Sequence, residues 1–314
     1  MLRMGNTSSP SKVRGSHELL SIVKSMKALI LISRPHNLFI TFLGVVLGAL
    51  VVSPAAASEY LGLLVASIPA LAIAAGGYII NDYYDLEIDR KAKPWRPLPR
   101  GDLSPGKALR IAIVLIVFGV LIAFLLFNAL IGSFAALNAV VTYIYSWRLK
   151  KLGLMGNIAV SLLSANSILY GGLIYIPGSE NHLERFLIVL IPWSFAMIMS
   201  LSREIVKGIE DIEGDKEYGV KTLAVLKGYR ASSSLATALL ILLLTIVGIP
   251  FIIKRSTIYI TLAVASILIF LLSTARIIYS KDHYDAIRRA AISRSVSKIS
   301  LLLGTLAFIA WSLS

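Results

Sequence analysis

Apolar runs close to twenty residues long recur from one end of this chain to the other, and that repetition constrains its fold more than any motif does. Each run is long enough to cross a hydrocarbon layer roughly 30 Å thick as a helix. Lipid offers the backbone no partner, so segments that satisfy their own N–H and C=O groups, helices, are the structure these runs can adopt. Hydropathy places about nine spans, near Leu38–Val52, Tyr60–Ile80, Ala108–Phe127, Leu130–Tyr145, Met155–Ile176, Arg185–Leu201, Ser232–Ile253, Tyr259–Ile278 and Ala291–Trp311. The composition, 57% hydrophobic and 15% charged, with mean hydropathy +0.79, lies outside the balance of a soluble domain. An all-α integral membrane bundle is the expected fold.

The net charge of +14 would suggest a nucleic-acid partner in a soluble protein. Here the basic residues sit in short connections between apolar spans, where they report orientation, so no nucleic acid is expected. Arg90, Lys91, Lys93, Arg96, Arg100 and Lys107 follow the second span, and Arg148, Lys150 and Lys151 the fourth. Further clusters follow the sixth and eighth spans. The alternate connections carry almost no positive charge, which places the amino terminus and the charged loops on the cytoplasmic side of the cell membrane. With no cysteine in the chain, disulfides, thiolate metal sites and cysteine nucleophiles are all excluded.

Residues 1–16 read as a solvated basic tail, without the apolar stretch of a signal peptide. Over 17–34, Leu19, Leu20, Val23, Met26, Leu29 and Ile30 recur at helical spacing between Lys24 and Lys27, the pattern of an amphipathic helix lying in the interface. The span-bearing domain is then 35–314. The connections after the second and sixth spans both open on acidic residues, which hints at two four-helix halves, 35–150 and 151–280, followed by a last helix.

Those two acidic segments carry the chemistry. The first is Asn81-Asp82-Tyr83-Tyr84-Asp85-Leu86-Glu87-Ile88-Asp89, where a continuing helix would set Asp82, Asp85 and Asp89 on one face beside Asn81. The second runs from Arg203 and Glu204 through Lys207 to Glu210, Asp211 and Asp215, the last two being i, i+4 neighbours. Carboxylates near a bilayer repel one another and are costly to desolvate, so cations must offset them. Oxygen ligands select hard ions, and Mg²⁺ shares itself between a few carboxylates and substrate phosphates. Two facing clusters with Mg²⁺ would seat a diphosphate. The alternatives are solvated helix-end charges paired with nearby Lys and Arg, or the ion path of a transporter. A transporter would place acids at mid-span and break its helices there, whereas these acids lie at span ends.

From about Arg34 onward the chain resembles the UbiA superfamily of intramembrane prenyltransferases. The resemblance rests on NDYYDLEID, the loop KAKPWRPLPRG, the segment YSWRLKKLGLMGN and the run REIVKGIEDIEGDKEYGVKTLAV. It implies nine helices around a central cavity capped on the cytoplasmic side, and Mg²⁺-dependent transfer of a prenyl group from its diphosphate. On that basis Asp82, Asp85, Asp89, Asp211 and Asp215 are expected to bind metal, with Asn81 as a neutral ligand or orienter. Lys91, Arg96, Arg148, Lys150 and Lys207 are expected around the diphosphate. The faces of Tyr143 and Tyr145, with Tyr170 and Tyr175 as further candidates, would wall an allylic cation. Asn157 is placed at the acceptor site.

The acceptor must be read from motif detail. The stretch Glu210–Leu223 resembles the archaeal digeranylgeranylglyceryl phosphate synthases and also the chlorophyll synthase branch, and it differs from the 4-hydroxybenzoate transferases. This implies a geranylgeranyl diphosphate donor and a geranylgeranylglyceryl phosphate acceptor, with Arg96, Arg100 and Lys151 available for the acceptor phosphate; an aromatic quinone precursor is the alternative. Gly208 departs from the acidic residue that many relatives carry at its position.

Overall fold

The computed structural model describes residues 23–314, so the tail over 1–16 and the first part of the helix expected over 17–34 lie outside the described residues. Residues 23–32 form α1. The spans are α2 (Pro35–Val52), α3 (Tyr60–Tyr84), α5 (Pro105–Leu126), α6 (Ala129–Trp147), α7 (Leu154–Tyr175), α8 (His182–Glu210), α10 (Leu223–Ile246) running into α11 (Gly248–Ile253), α12 (Thr257–Ile278) and α13 (His283–Leu313). Two short helices, α4 (Leu86–Ala92) and α9 (Ile212–Glu217), follow α3 and α8. Among the described residues nine helical segments are long and apolar enough to cross a membrane, and no strand occurs.

Span existence follows the hydropathy; span length does not. The helices α3 and α8 run beyond the apolar stretches, to Tyr84 and Glu210, and so carry Asp82, Glu204 and Lys207 as helical residues. A charged residue scores against a span in a hydropathy window, yet it continues a helix wherever cations balance it.

Packing divides the bundle. One apolar core joins α8, α10, α12 and α13 through residues such as Val206, Leu240, Phe270 and Trp311. A second joins α3, α5 and α6 through Ile73, Ala123 and Ile131. The boundary is held by α2 against α7, whose backbones touch because a Cβ at Gly171 would collide with the Val45 carbonyl. The outer faces remain apolar: Val114, Leu121 and Leu125 of α5 are exposed, as a lipid-facing surface requires. Ala28 and Ile32 of α1 pack against Ile79, Ile80 and Leu103, Lys24 pairs with Asp102 at 2.9 Å, and Val23, Met26 and Ile30 stay exposed.

Polar side chains bridge helices within the bundle. The Trp193 indole donates to Asn166 Oδ1 at 3.0 Å, the Asn166 amide to Asn138 Oδ1 at 2.7 Å, and the Asn138 amide to the Phe134 carbonyl at 2.8 Å. Each group of this relay finds a partner, as hydrocarbon demands.

Candidate active site

Both acidic segments are built the same way. The helix α3 stops at Asp85, with φ −87° and ψ −1°, and α4 restarts at once; α8 stops at Asp211, with φ −89° and ψ 7°, and α9 restarts. One turn later Asp89 N donates to the Asp85 carbonyl at 2.7 Å and Asp215 N to the Asp211 carbonyl at 2.9 Å. Each motif is therefore a bent helix end with one Asp at the bend and another a turn beyond. Lys91 on α4 reaches Glu217 on α9 at 3.3 Å, which puts the two bends at the same end of the bundle. In this register Gly208 stands where the first motif has Asp82. A Cβ there would make only ordinary contact with Thr222 at 3.6 Å, so the structure gives no steric reason for the glycine.

The first motif is neutralised from several directions. Asp82 and Asp89 are only 6% and 3% exposed. Arg96 donates to Asp89 Oδ2 at 2.5 Å and approaches Asp82 Oδ1 at 3.5 Å. Lys150 donates to Asp85 Oδ1 at 2.5 Å and to Asn81 Oδ1 at 3.2 Å. Burial pushes the Asp89 carboxyl up, and the Arg96 guanidinium opposes that shift. Burial lowers the Lys150 ammonium while Asp85 holds it up. The three carboxylates therefore do not form one free edge; each belongs to a cation.

Sequence reading missed Arg34. Its Nη2 donates to Asp82 Oδ1 at 2.5 Å and its guanidinium lies 5.3 Å from the Tyr78 ring centre. Among the described residues it is the one non-glycine with positive φ, 55°. Pro35 disfavours the right-handed helical conformation at the residue before it, and Arg34 breaks the chain between α1 and α2 in the left-handed region while its side chain holds Asp82. A lone Arg before Pro at the mouth of a span was the available signal. Glu204 was also left without a role: it is 7% exposed and is held by Arg203 at 2.5 Å and Lys207 at 3.3 Å.

The second motif is different. Its neighbours Glu210 and Glu217 pair with Arg294 and Lys91, but neither Asp211 nor Asp215 makes an ion pair among the described residues. Burial, reinforced by the charge of Asp211, pushes the Asp215 carboxyl up to about 6. Two adjacent acids short of positive charge fit a hard divalent cation. Among the described residues no three acidic or imidazole groups converge on a closed metal centre; an ion here would complete its shell with water or phosphate, as Mg²⁺ commonly does.

The remaining expected residues separate. Tyr145 lies among Lys207, Glu204, Asp85 and Arg34. Tyr143 is exposed and its hydroxyl meets that of Tyr84 at 2.9 Å, outside this group. Tyr170 is buried against Phe134. Lys91 and Arg148 are exposed, and Arg100 turns away to Asp102. Asn157 lies in the first turn of α7, behind Gly153, whose φ of 60° brings it against the Lys221 carbonyl. Lys221 N donates to the Lys151 carbonyl at 3.3 Å, joining the loop of the first half to that of the second.

The apolar helices, nine of them among the described residues, with an acid–cation cradle at one end, are those of a polytopic membrane protein, and the family match makes it an enzyme of the prenyl-transferring class. The chain belongs to the UbiA prenyltransferase family, whose model matches residues 37–309. It is 40% identical to a digeranylgeranylglyceryl phosphate synthase of Saccharolobus solfataricus, across 92% of this chain and 98% of that one. A protein of the same name from Ignicoccus hospitalis is 41% identical over 89% of each chain. A solved structure described as giving insight into digeranylgeranylglyceryl phosphate synthase in membranes superposes with TM-score 0.69 and 28% identity, covering 92% of this chain and 99% of the other. A UbiA homologue from Archaeoglobus fulgidus bound to DMAPP and Mg²⁺ shares the fold, with TM-score 0.60 at 17% identity over 91% of this chain and 99% of that one.

Proposed function

We propose that this enzyme transfers a geranylgeranyl group from its diphosphate to the free hydroxyl of geranylgeranylglyceryl phosphate, at the cytoplasmic face of the cell membrane and with Mg²⁺. The carrying observation is the asymmetry of the two bent helix ends: one dense in cations, the other holding an Asp211–Asp215 couple that makes no ion pair among the described residues. A diphosphate with its metal ion completes both, because the phosphates take the cations and the ion takes the acids.

Asp211, Asp215 and Asp85 would hold Mg²⁺, with Asn81 as a neutral oxygen donor, and the ion supplies neutralisation of the charge that grows on the leaving diphosphate. Asp82 and Asp89 keep Arg34 and Arg96 aimed at the phosphates. Lys150 and Lys207 approach from α6's end and from α8. These donors act where charge develops, so they favour the transition state over the ground state. Tyr145, which lies among Lys207, Glu204, Asp85 and Arg34, offers an aromatic face that stabilises positive charge on the allylic carbon without attacking it. The apolar bundle excludes bulk water, which would otherwise capture that carbon.

Purified protein incubated with Mg²⁺ and geranylgeranyl diphosphate should form the diether product from geranylgeranylglyceryl phosphate and none from 4-hydroxybenzoate. Prenylation of the aromatic acceptor alone would overturn the assignment.

A further inference from the structure

The two arginines that meet at Asp82 Oδ1, Arg34 at 2.5 Å and Arg96 at 3.5 Å, are both tied to α1. Arg34 follows that helix by two residues. Its N–H donates to the Leu31 carbonyl at 3.2 Å and its carbonyl accepts from Asn37 N of α2 at 2.9 Å, so it is fastened on both sides. Arg96 is reached through its loop. Leu98 and Leu103 of that loop share one buried apolar cluster with Ala28 and Ile32 of α1. Lys24 pairs with Asp102 at 2.9 Å, and Ser25 Oγ donates to the Asp102 carbonyl at 3.4 Å. Asp102 N in turn donates to the Pro97 carbonyl at 3.0 Å, and Arg100 N to the Arg96 carbonyl at 3.0 Å. A displacement of α1 therefore moves both guanidinium groups relative to Asp82, which belongs to α3.

The other face of α1 is uncovered among the described residues. Val23, Met26, Ile30 and Leu31 are 56%, 60%, 57% and 56% exposed, at the helical spacing that sets them on one side. Lys27 is exposed among them, and a lysine stem lies along apolar surface while its ammonium reaches a polar layer. The buried face shares its cluster with Ile79 and Ile80, within one turn of Asp82, and with Ala108 in the first turn of α5. That is the level at which these spans give way to the polar loops. A large apolar face at that level, with a lysine in it, fits the head-group boundary of a bilayer rather than water. Residues 1–16 add Arg3, Lys12 and Arg14 and no acidic residue, a charge balance that suits anionic head groups.

We infer that α1 docks on the bilayer surface, its apolar face among the acyl chains and Lys27 against anionic head groups, and that this contact holds Arg34 and Arg96 in register with Asp82. It rests on the proposed function only for the role of these arginines toward the donor diphosphate; the acceptor does not enter. An anchored α1 fixes both guanidinium groups before the donor arrives, so less ordering is left to the binding step.

The test uses the full chain in nanodiscs. Because the chain has no cysteine, Met26→Cys gives a single labelling site on the exposed face. A fluorophore there should be quenched by lipids brominated in their acyl chains, whereas one at Lys216→Cys, on α9 among the polar loops, should not. Lys27→Glu should weaken the Met26→Cys quenching when phosphatidylglycerol is present and leave it unchanged in phosphatidylcholine alone. For the coupling, Met26→Glu with Ile30→Glu should raise the Kd for geranylgeranyl diphosphate with Mg²⁺ at least about fivefold, and less in an Arg34→Ala background. Thermal unfolding should stay that of wild type, since neither position belongs to the core. An unquenched label overturns the docking, as when the amino-terminal residues or a second copy cover this face. Unchanged donor affinity, or a loss matched by a fall in thermal stability, overturns the coupling. A wild type that binds the donor yet prenylates neither acceptor defeats the proposed function instead and leaves both readouts standing.

Discussion

Replacing Arg96 by Ala removes the guanidinium that lies 2.5 Å from Asp89 Oδ2 and 3.5 Å from Asp82 Oδ1. The two carboxyl side chains are only 5% and 8% exposed, whereas the arginine is 28% exposed. Breaking a buried pair by removing one member costs about 3–5 kcal/mol, and partial hydration of the arginine end reduces this to about 2–3 kcal/mol. Arg34 still covers Asp82, so most of the loss falls on Asp89, whose carboxyl burial already pushes up. Unfolding of Arg96→Ala in mixed micelles should show that loss, and kcat/KM for the donor should drop by about a hundredfold or more, as for other preorganised donors. Arg96→Lys should recover less than half of either, because one ammonium does not span two carboxylates. In a double-mutant cycle, Asp89→Asn should relieve the destabilisation by at least about 1 kcal/mol. Wild-type stability for Arg96→Ala, or strictly additive effects in the cycle, would refute the view that this arginine is held by buried charge.

Four further outcomes follow from the structure. Asp211→Asn or Asp215→Asn should abolish Mg²⁺-dependent product formation while leaving the metal-free protein as stable as wild type or more so, since each removes one of two repelling acids; a cooperative loss of fold measured by thermal unfolding would contradict this. Because the Asp215 carboxyl is pushed up to about 6 and only its ionised form binds metal, Mg²⁺ affinity read by titration calorimetry should fall as pH drops through about 6. In the metal-free protein the same shift favours the protonated fold, so stability should decline as pH rises from about 4 to 6. Gly153→Ala should lower thermal stability by about 1–3 kcal/mol or more, because φ there is 60° and the Lys221 carbonyl occupies the space a Cβ needs.

The sequence by itself determined the spanning helices, the two acidic motifs and the prenyl-transferring class. Apolar runs in lipid leave the backbone no other solution, and an Asp at a helix end keeps its spacing whatever surrounds it. It also singled out Arg96, Lys150 and Lys207; the fold sets Arg96 on Asp89, seven residues before it, Lys150 on Asp85 of another span, and Lys207 on Glu204 of its own helix. Tertiary structure alone decided which acid owns which cation. Asp85 and Asp211 turned out to be bends within helices rather than positions on a continuing face, and Tyr143 and Tyr145, two residues apart, fell on opposite sides of one helix. The pairing of Arg34 with Asp82 was invisible in one dimension. The two residues lie 48 positions apart, and a charge near a membrane takes its role from the partner that folding brings to it.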